Sequence, residues 1–301
     1  MIKKVTVKAA SYSVAGVVVQ KVQDYKLLVK FRLSFTVVFS SVMAFLIGIS
    51  GPIDWLSVGI LALGGFFVTA AANALNQVLE KDYDRLMKRT ADRPLAAGRM
   101  KVSEAVLAAG FMCLFGITLL ALFNPWTAFL GMAAMVSYAF VYTPLKRLSP
   151  IAVTVGAVPG ALPTMIGCVA AQGEITVLAW TLFAIQFLWQ FPHFWSIGWL
   201  GFEDYRKAGF RFMPGQDEPH RSTSRQAFGY ALLLVPTSLI PYWIGATGVT
   251  SAIVTVLLGL GYVALSWMFM RRHDRKSALS LMFYSFIYIP LTLIALFADK
   301  I

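Results

Sequence analysis

An amide and two carboxylates recur at four-residue intervals, at Asn76, Glu80 and Asp84. A helix turns by about 100° per residue, so these side chains and that of Asn73 form one narrow stripe, whereas Asp82 points elsewhere. Hard oxygen ligands of this kind suit Mg²⁺, which binds one or two carboxylates together with waters and substrate phosphates. We therefore predict that Asn76, Glu80 and Asp84 hold magnesium on a phosphate group.

A basic cluster that contains Arg89 and Arg93 follows the stripe directly. Guanidinium groups bind phosphate oxygens in a bidentate manner, so both side chains are candidate diphosphate ligands. Lys146 and Arg147, in the segment YTPLKR, are assigned to the same anion. The alternative for these charges is a solvated cap at the membrane surface, which would set topology and bind nothing.

A third polar segment, QFLWQFPHFWSIGWLGFEDY, covers residues 186–205. Glu203 and Asp204 would add acids beside the first stripe, so we predict both as metal ligands and Asp204 as catalytic. His193 stands in an otherwise apolar run, where polar groups are costly and often functional. It has two interpretations, a hydrogen-bonded structural histidine or a contact to a substrate.

These residues interrupt or end long apolar runs, which must form the scaffold that positions them. The chain has 301 residues, of which 58% are hydrophobic and 13% charged. Apolar runs near the bilayer thickness, without alternation, indicate membrane-spanning helices and exclude a barrel. We predict an all-α, polytopic membrane protein with nine transmembrane helices around a central cavity. The predicted spans are 31–50, 55–79, 103–122, 126–142, 151–171, 175–197, 227–246, 249–270 and 278–298.

The basic residues orient these spans. Twenty-five of the 26 lysines and arginines lie in the N-terminal tail or in alternate connections, and only Lys300 lies on the opposite face. The positive-inside rule makes the basic face cytoplasmic and leaves the C-terminus outside. The net charge of +12 therefore records orientation in a lipid bilayer, and we predict no nucleic-acid partner. Residues 1–30 are predicted to form a cytoplasmic tail and residues 31–301 the membrane domain.

Together these segments resemble the UbiA superfamily of intramembrane prenyltransferases. The stripe followed by RTADRPL is similar to the first aspartate-rich motif of that superfamily. The segments YTPLKR, FLWQFPHFW and EDYRKAGFRFMP are most similar to its haem-farnesylating branch. Two positions depart from the superfamily pattern. Glu80 stands where many members have Asp. Leu200 stands four residues before Asp204, where the second motif usually has another acid. The haem-farnesylating branch resembles this chain in lacking that acid.

The resemblance implies transfer of a farnesyl group from farnesyl diphosphate to the 2-vinyl group of protohaem IX, with Mg²⁺ as cofactor. Asn76, Glu80, Asp84 and Asp204 take the catalytic positions, and His193 is assigned to the haem. The product, haem O, serves terminal oxidases directly or as the precursor of haem A. The resemblance thus suggests haem A synthase or a terminal oxidase as an assembly partner. The implied location is a bacterial inner membrane, or a mitochondrial inner membrane in a eukaryote.

Two other functions fit parts of the sequence. An aromatic prenyltransferase of quinone biosynthesis would share the first motif, and only the FPHFW and EDY segments argue against it. A polytopic transporter tends to place charged coupling residues and broken helices near the membrane midplane. Here the acids cluster at one face, which argues against transport, although Pro159, Pro163 and Pro192 interrupt spans.

Overall fold

The computed structural model describes residues 14–215 and 217–301, and this part of the chain is built from helices. A π-helix, Ser137–Tyr142, joins the fifth and sixth α-helices into one continuous segment. In chain order the α-helices are α1 (Val14–Leu28), α2 (Phe31–Gly48), α3 (Trp55–Asp84), α4 (Val102–Ala121), α5 (Pro125–Val136), α6 (Thr143–Leu145), α7 (Ala152–Gln172), α8 (Val177–Leu200), α9 (Phe202–Lys207), α10 (Ser222–Ser238), α11 (Ile240–Trp243), α12 (Val249–Arg272) and α13 (Arg275–Ala298).

Among the described residues, seven helical segments are long and apolar enough to cross a membrane. They are α2, α3, α4, the continuous segment from α5 to α6, α7, α12 and α13, and each coincides with a predicted span. The other two predicted spans correspond to α8, which is 24 residues long but carries two glutamines and a histidine, and to α10, which has 17 residues. The chain is a multi-pass membrane protein, and the count of nine spans stays a prediction.

The long helices form a closed ring. Helices α2 to α5 pack in sequence, α5 packs on α7, and α7, α8, α10, α12 and α13 follow in sequence. Helix α13 returns to pack on α2 and α8, and α2 also packs on α7. Close backbone approach holds helices together in lipid, which favours small residues at the crossings. Gly116 and Gly167 lie at two crossings, because a Cβ added to either would meet the backbone of α3 or α2. The ring encloses a space in the middle of the bundle.

Part of the predicted N-terminal tail forms α1, which docks on the end of α3. Leu28 is fully buried, and Gln77 of α3 donates a 2.9 Å hydrogen bond to its carbonyl. The buried Asp24 carboxylate accepts a 2.9 Å hydrogen bond from Arg99, in the loop that follows α3. Helix α1 therefore clamps this loop against the membrane domain. Residues 1–13 of the predicted tail lie outside the described residues.

The last residues fasten the opposite end of the ring. The Asp299 carboxylate accepts a 2.6 Å hydrogen bond from the Ser251 amide in the first turn of α12. The Lys300 ammonium donates to the carbonyls of Leu46 and Ile49, at 2.9 and 3.1 Å, where α2 ends. These contacts join α2, α12 and α13 at one point. We call this pair of residues the C-terminal clasp.

Candidate active site

The predicted stripe lies on the last turns of α3 and faces the inside of the bundle. Asn76, Glu80 and Asp84 are each at most 3% exposed, although a lone buried carboxylate is costly. Asp82, which was excluded from the stripe by helical geometry, is exposed and pairs with Arg85 at 3.5 Å. The position of a side chain around α3 therefore separates the buried polar residues from the solvated ones.

Each buried carboxylate is paired with a cation from another part of the chain. One guanidinium nitrogen of Arg93 donates to both oxygens of Asp84, at 2.8 and 2.9 Å. The Lys146 ammonium forms an ion pair with Glu80. Breaking a buried pair leaves an uncompensated charge, so these contacts hold the site together without a ligand. A divalent cation and a phosphate group that bind together could replace both ion pairs. The metal would then bind the two carboxylates, and the phosphate would bind Arg93 and Lys146.

Asn76 is held on both sides of its amide. Its Oδ1 accepts a 2.8 Å hydrogen bond from the Lys30 ammonium, and its Nδ2 donates to the Thr143 hydroxyl at 3.0 Å. Thr143 donates in turn to the Tyr138 carbonyl. This network directs the amide oxygen toward Lys30. Burial lowers the pKa of the Lys30 ammonium well below its usual range, and the positive charge of Arg93 lowers it further.

Lys30 is a site residue that does not follow from the motifs, because from sequence it counts only among the charges of the tail. It occupies the turn between α1 and α2 in the left-handed conformation, with φ of 47°. Asn73 donates to the neighbouring Val29 carbonyl and so ties this turn to α3. The one sequence signal for Lys30 is its position directly before the first apolar run.

The predicted phosphate ligand Arg147 is bound to the end of α3. Its guanidinium donates a 2.6 Å hydrogen bond to the Leu79 carbonyl and lies 3.8 Å from the centroid of the Tyr83 ring. Lys146 beside it is flanked by two aromatic rings, those of Tyr142 and Phe210, at 5.0 and 5.4 Å. The segment YTPLKR is thus anchored on α3 through Arg147 and presents Lys146 to Glu80.

The second acidic pair lies beside the loop after α3. Glu203 is exposed and pairs with Arg206 at 3.2 Å, whereas Asp204 is half-buried. Tyr205, the next residue, accepts a 3.1 Å hydrogen bond from Arg89, so α9 and that loop are in contact. In the described chain no three acidic, histidine or cysteine side chains come close enough to form a metal site by themselves. The assignments of Glu203 and Asp204 to the metal stay predictions.

The stripe has the chemistry of a site that shares a magnesium ion with its substrate. It offers two carboxylates and one amide oxygen, and Mg²⁺ accepts such a partial set because waters and phosphate oxygens complete its shell. The cations around the stripe match an anionic ligand, since guanidinium and ammonium groups form charge-assisted hydrogen bonds to phosphate.

A cavity of about 650 Å³ lies inside the ring next to the stripe, a size typical of small-molecule sites. Its walls are mainly apolar, and Asn73, Tyr138 and Tyr142 line it on the side of the stripe. The two tyrosine rings are 5.5 Å apart and belong to the π-helix. Extra residues of this kind within helices are frequent at functional sites. The polar stripe and the apolar cavity thus meet at the two tyrosines.

His193 lines the same cavity from α8. Its Nδ1 lies 2.7 Å from the Ser285 hydroxyl, which itself donates to the Met282 carbonyl. A hydroxyl has one hydrogen, so the network assigns the imidazole proton to Nδ1 and leaves Nε2 as an acceptor. The ring stacks on Trp189 with the centroids 4.8 Å apart. Within the described residues Nε2 has no hydrogen-bond partner.

The two glutamines near His193 join helices. The amide nitrogen of Gln186 donates to the Gly160 carbonyl at 2.8 Å, and that of Gln190 donates to the Ala157 carbonyl at 3.0 Å. Both acceptors lie on α7, so the two amides join α8 to α7. Interhelical bonds of this kind account for the glutamines without any ligand.

Comparisons with known proteins give the family and the fold of the chain. Residues 37–287 match the UbiA prenyltransferase family. A protein of Cytophaga hutchinsonii named "Protoheme IX farnesyltransferase" is 43% identical over 280 residues, which cover 93% of this chain and 98% of that protein. The solved structure of a digeranylgeranylglyceryl phosphate synthase has a TM-score of 0.78 at 18% identity and covers 93% of this chain and 98% of its own. A UbiA homologue from Archaeoglobus fulgidus, solved with GPP and Mg²⁺, has a TM-score of 0.66 at 16% identity, with coverage of 91% and 99%.

Proposed function

The chain belongs to the UbiA prenyltransferase family, and we propose that it transfers a farnesyl group from farnesyl diphosphate to the 2-vinyl group of protohaem IX, giving haem O. The observation that carries the proposal is the junction of a buried acid-and-cation stripe with an apolar cavity. A relative named for this reaction matches almost the whole chain, which selects haem over an aromatic acceptor. The alternative function as a polytopic transporter is not favoured.

The diphosphate is proposed to bind at the stripe. Asn76, Glu80 and Asp84 would hold Mg²⁺, as expected from their oxygen donors and from the family relative solved with GPP and Mg²⁺. When bound, the metal would neutralise charge on the leaving diphosphate. Arg93 and Lys146 then exchange their carboxylate partners for phosphate oxygens, so no buried charge is left unpaired.

Further ligands lie around this core of the site. Arg89 contacts Tyr205 and so lies beside the second acidic pair, which supports the assignment of Glu203 and Asp204 to the same metal and anion. Arg147 is assigned to the diphosphate as well, and it also anchors its segment on α3. Lys30 adds an amine next to Asn76, which a bound diphosphate would hold in its charged form.

The reaction breaks the bond between the allylic carbon and the diphosphate oxygen. Negative charge then develops at the stripe, where fixed cations stabilise it, and positive charge develops on the farnesyl carbon at the start of the cavity. The ring faces of Tyr138 and Tyr142 stabilise such a cation. The apolar walls exclude water that would otherwise quench it.

The haem is proposed to occupy the part of the cavity near α8 and α13. The electrons of its vinyl group form the new carbon–carbon bond to the farnesyl group. Water then adds to the cation on the haem side and releases a proton, which leaves a hydroxyethylfarnesyl substituent. His193 is assigned to the haem, because it lines this part of the cavity with Nε2 unpaired in the described chain.

We further propose that the stripe opens on the cytoplasmic side of a bacterial inner membrane, or of a mitochondrial inner membrane if the chain is eukaryotic. The concentration of basic residues at that end supports this orientation, with the C-terminus outside. Haem A synthase or a terminal oxidase would receive the product.

The proposed function is tested by expressing the chain in a host that lacks haem O and examining the extracted haems. The expected result is a farnesylated haem that requires both farnesyl diphosphate and magnesium. Protohaem alone, in membranes that contain the inserted protein and both reagents, would reject the proposal. Prenylation of an added aromatic acid without modification of haem would support the quinone-type alternative.

A further inference from the structure

We propose that Leu120 is the floor of the prenyl-binding part of the cavity and limits the length of the prenyl chain that the enzyme accepts. This inference rests on the proposed function, because it assigns a substrate-selecting residue to the same site. It concerns the arm of the cavity between α3, α4 and α5, away from His193.

Helix α4 contributes one side chain to the cavity lining, Leu120, from its last turn. The helix begins at Val102, after the loop that follows the stripe, and Leu120 lies roughly 27 Å further along its axis. The cavity also follows α3 from Asn73 to Gly65. Gly65 lies roughly 16 Å along that helix from Asn76. A prenyl chain that starts at the stripe and extends along α3 therefore ends against Leu120.

Leu120 is fixed in this position by two glycines. It is fully buried, and a Cβ added at Gly131 would lie 2.5 Å from one of its methyl carbons. A Cβ added at Gly64 would lie 3.1 Å from the other methyl carbon. The isobutyl group thus fills the space that both glycines leave. A longer prenyl chain would have to displace a closely packed side chain, which protein interiors resist.

The neighbours of Leu120 indicate an apolar occupant. Val68, Ala134 and Met135 line the cavity around it. The arm near α8, by contrast, carries the imidazole of His193 and the amides of two glutamines. The aliphatic arm suits an isoprenoid tail, and the arm with hydrogen-bonding groups suits the haem.

The test is a competition between geranylgeranyl and farnesyl diphosphate, with protohaem as acceptor. Leu120→Ala is expected to raise the ratio of geranylgeranyl to farnesyl transfer by about tenfold or more, since pocket size discriminates chain length by such factors. Leu61→Ala is the matched control, because Leu61 is equally buried on α3 but does not line the cavity. Its ratio is expected to equal that of the wild type.

An unchanged ratio in folded Leu120→Ala would overturn the inference while leaving the proposed function intact. An equal shift in Leu61→Ala would also overturn it, because general loosening would then explain the effect. Wild-type protein that transfers no farnesyl group would reject the proposed function itself. If Leu120→Ala does not fold, Leu120→Phe provides the test: it must favour geranyl over farnesyl diphosphate, and a wild-type ratio would overturn the inference.

Discussion

The Lys30 ammonium and the Asn76 amide are joined by a 2.8 Å hydrogen bond across 46 positions of the chain. The turn between α1 and α2 thereby brings an amine to the acidic stripe of α3, and an anion bound there would favour its charged form. On its other side Asn76 is bonded to Thr143, so three separate segments meet at one amide. The stripe is therefore part of a site built by the turn before α2, by α3 and by α6.

Replacement of Lys30 by Met removes this amine, and with it the charge that a bound diphosphate would favour, with little change in volume. Charge-assisted hydrogen bonds contribute about 1.5–3 kcal/mol, so we expect the KM for farnesyl diphosphate to rise by about tenfold or more. The KM for haem should stay near its wild-type value. Steady-state kinetics with each substrate varied in turn would measure both. Lys26→Met is the control, because Lys26 is exposed on α1, and a wild-type diphosphate KM for Lys30→Met would contradict the role of Lys30.

Replacement of Asp84 by Ala is expected to abolish haem O formation while the protein still inserts in the membrane. The change removes a candidate metal ligand and leaves Arg93 without its carboxylate. Product formation should be measured with magnesium limiting. Asp82→Ala is the control two positions away, because Asp82 is exposed and lies outside the stripe; it should keep its activity. A wild-type rate for Asp84→Ala at limiting magnesium would exclude the proposed metal site.

The stripe could be predicted from sequence because helical spacing is a local property. Three positions four residues apart must share a face of α3, and Asp82 must leave it, whatever the rest of the fold. Lys30 could not be found in this way. Its role comes from an interhelical turn held by contacts far along the chain, and a lysine before a membrane span is usually an orientation signal.

The fold likewise has features that could be predicted from sequence and features that could not. Seven apolar runs correspond to helices that can cross a membrane, since length and hydropathy alone define them. Helix α8 is not among these seven, because its two glutamines and His193 lower its hydropathy. These polar side chains lie in the interior of the bundle. The π-helix at Ser137–Tyr142 was not predicted, because YAFVYTPL is also compatible with an ordinary helix. Which cation pairs with which carboxylate also depends on the tertiary structure.

Replacement of His193 by Ala is expected to weaken the use of haem and to leave the KM for farnesyl diphosphate unchanged. The imidazole is held by Ser285 with Nε2 available in the cavity, so its loss would remove the proposed contact to the acceptor. Haem binding should be followed by absorbance and by turnover. His220→Ala is the control, because His220 is exposed and does not line the cavity. Wild-type haem binding and turnover in His193→Ala would make this histidine a structural residue.

The C-terminal clasp leads to a prediction about stability and not about catalysis. Asp299 caps the first turn of α12, and Lys300 bonds the last carbonyls of α2, so the two side chains join helices from both ends of the sequence. Loss of a side-chain cap costs about 0.5–2 kcal/mol. Asp299→Ala and Lys300→Met should therefore each lower the unfolding temperature in detergent, while Ile301→Ala, a change at an exposed neighbour, should not.

Because the clasp lies at the end of the ring opposite the stripe, the KM values for both substrates should stay unchanged below the unfolding transition. A changed diphosphate KM in either clasp variant would show that the two ends of the ring are coupled.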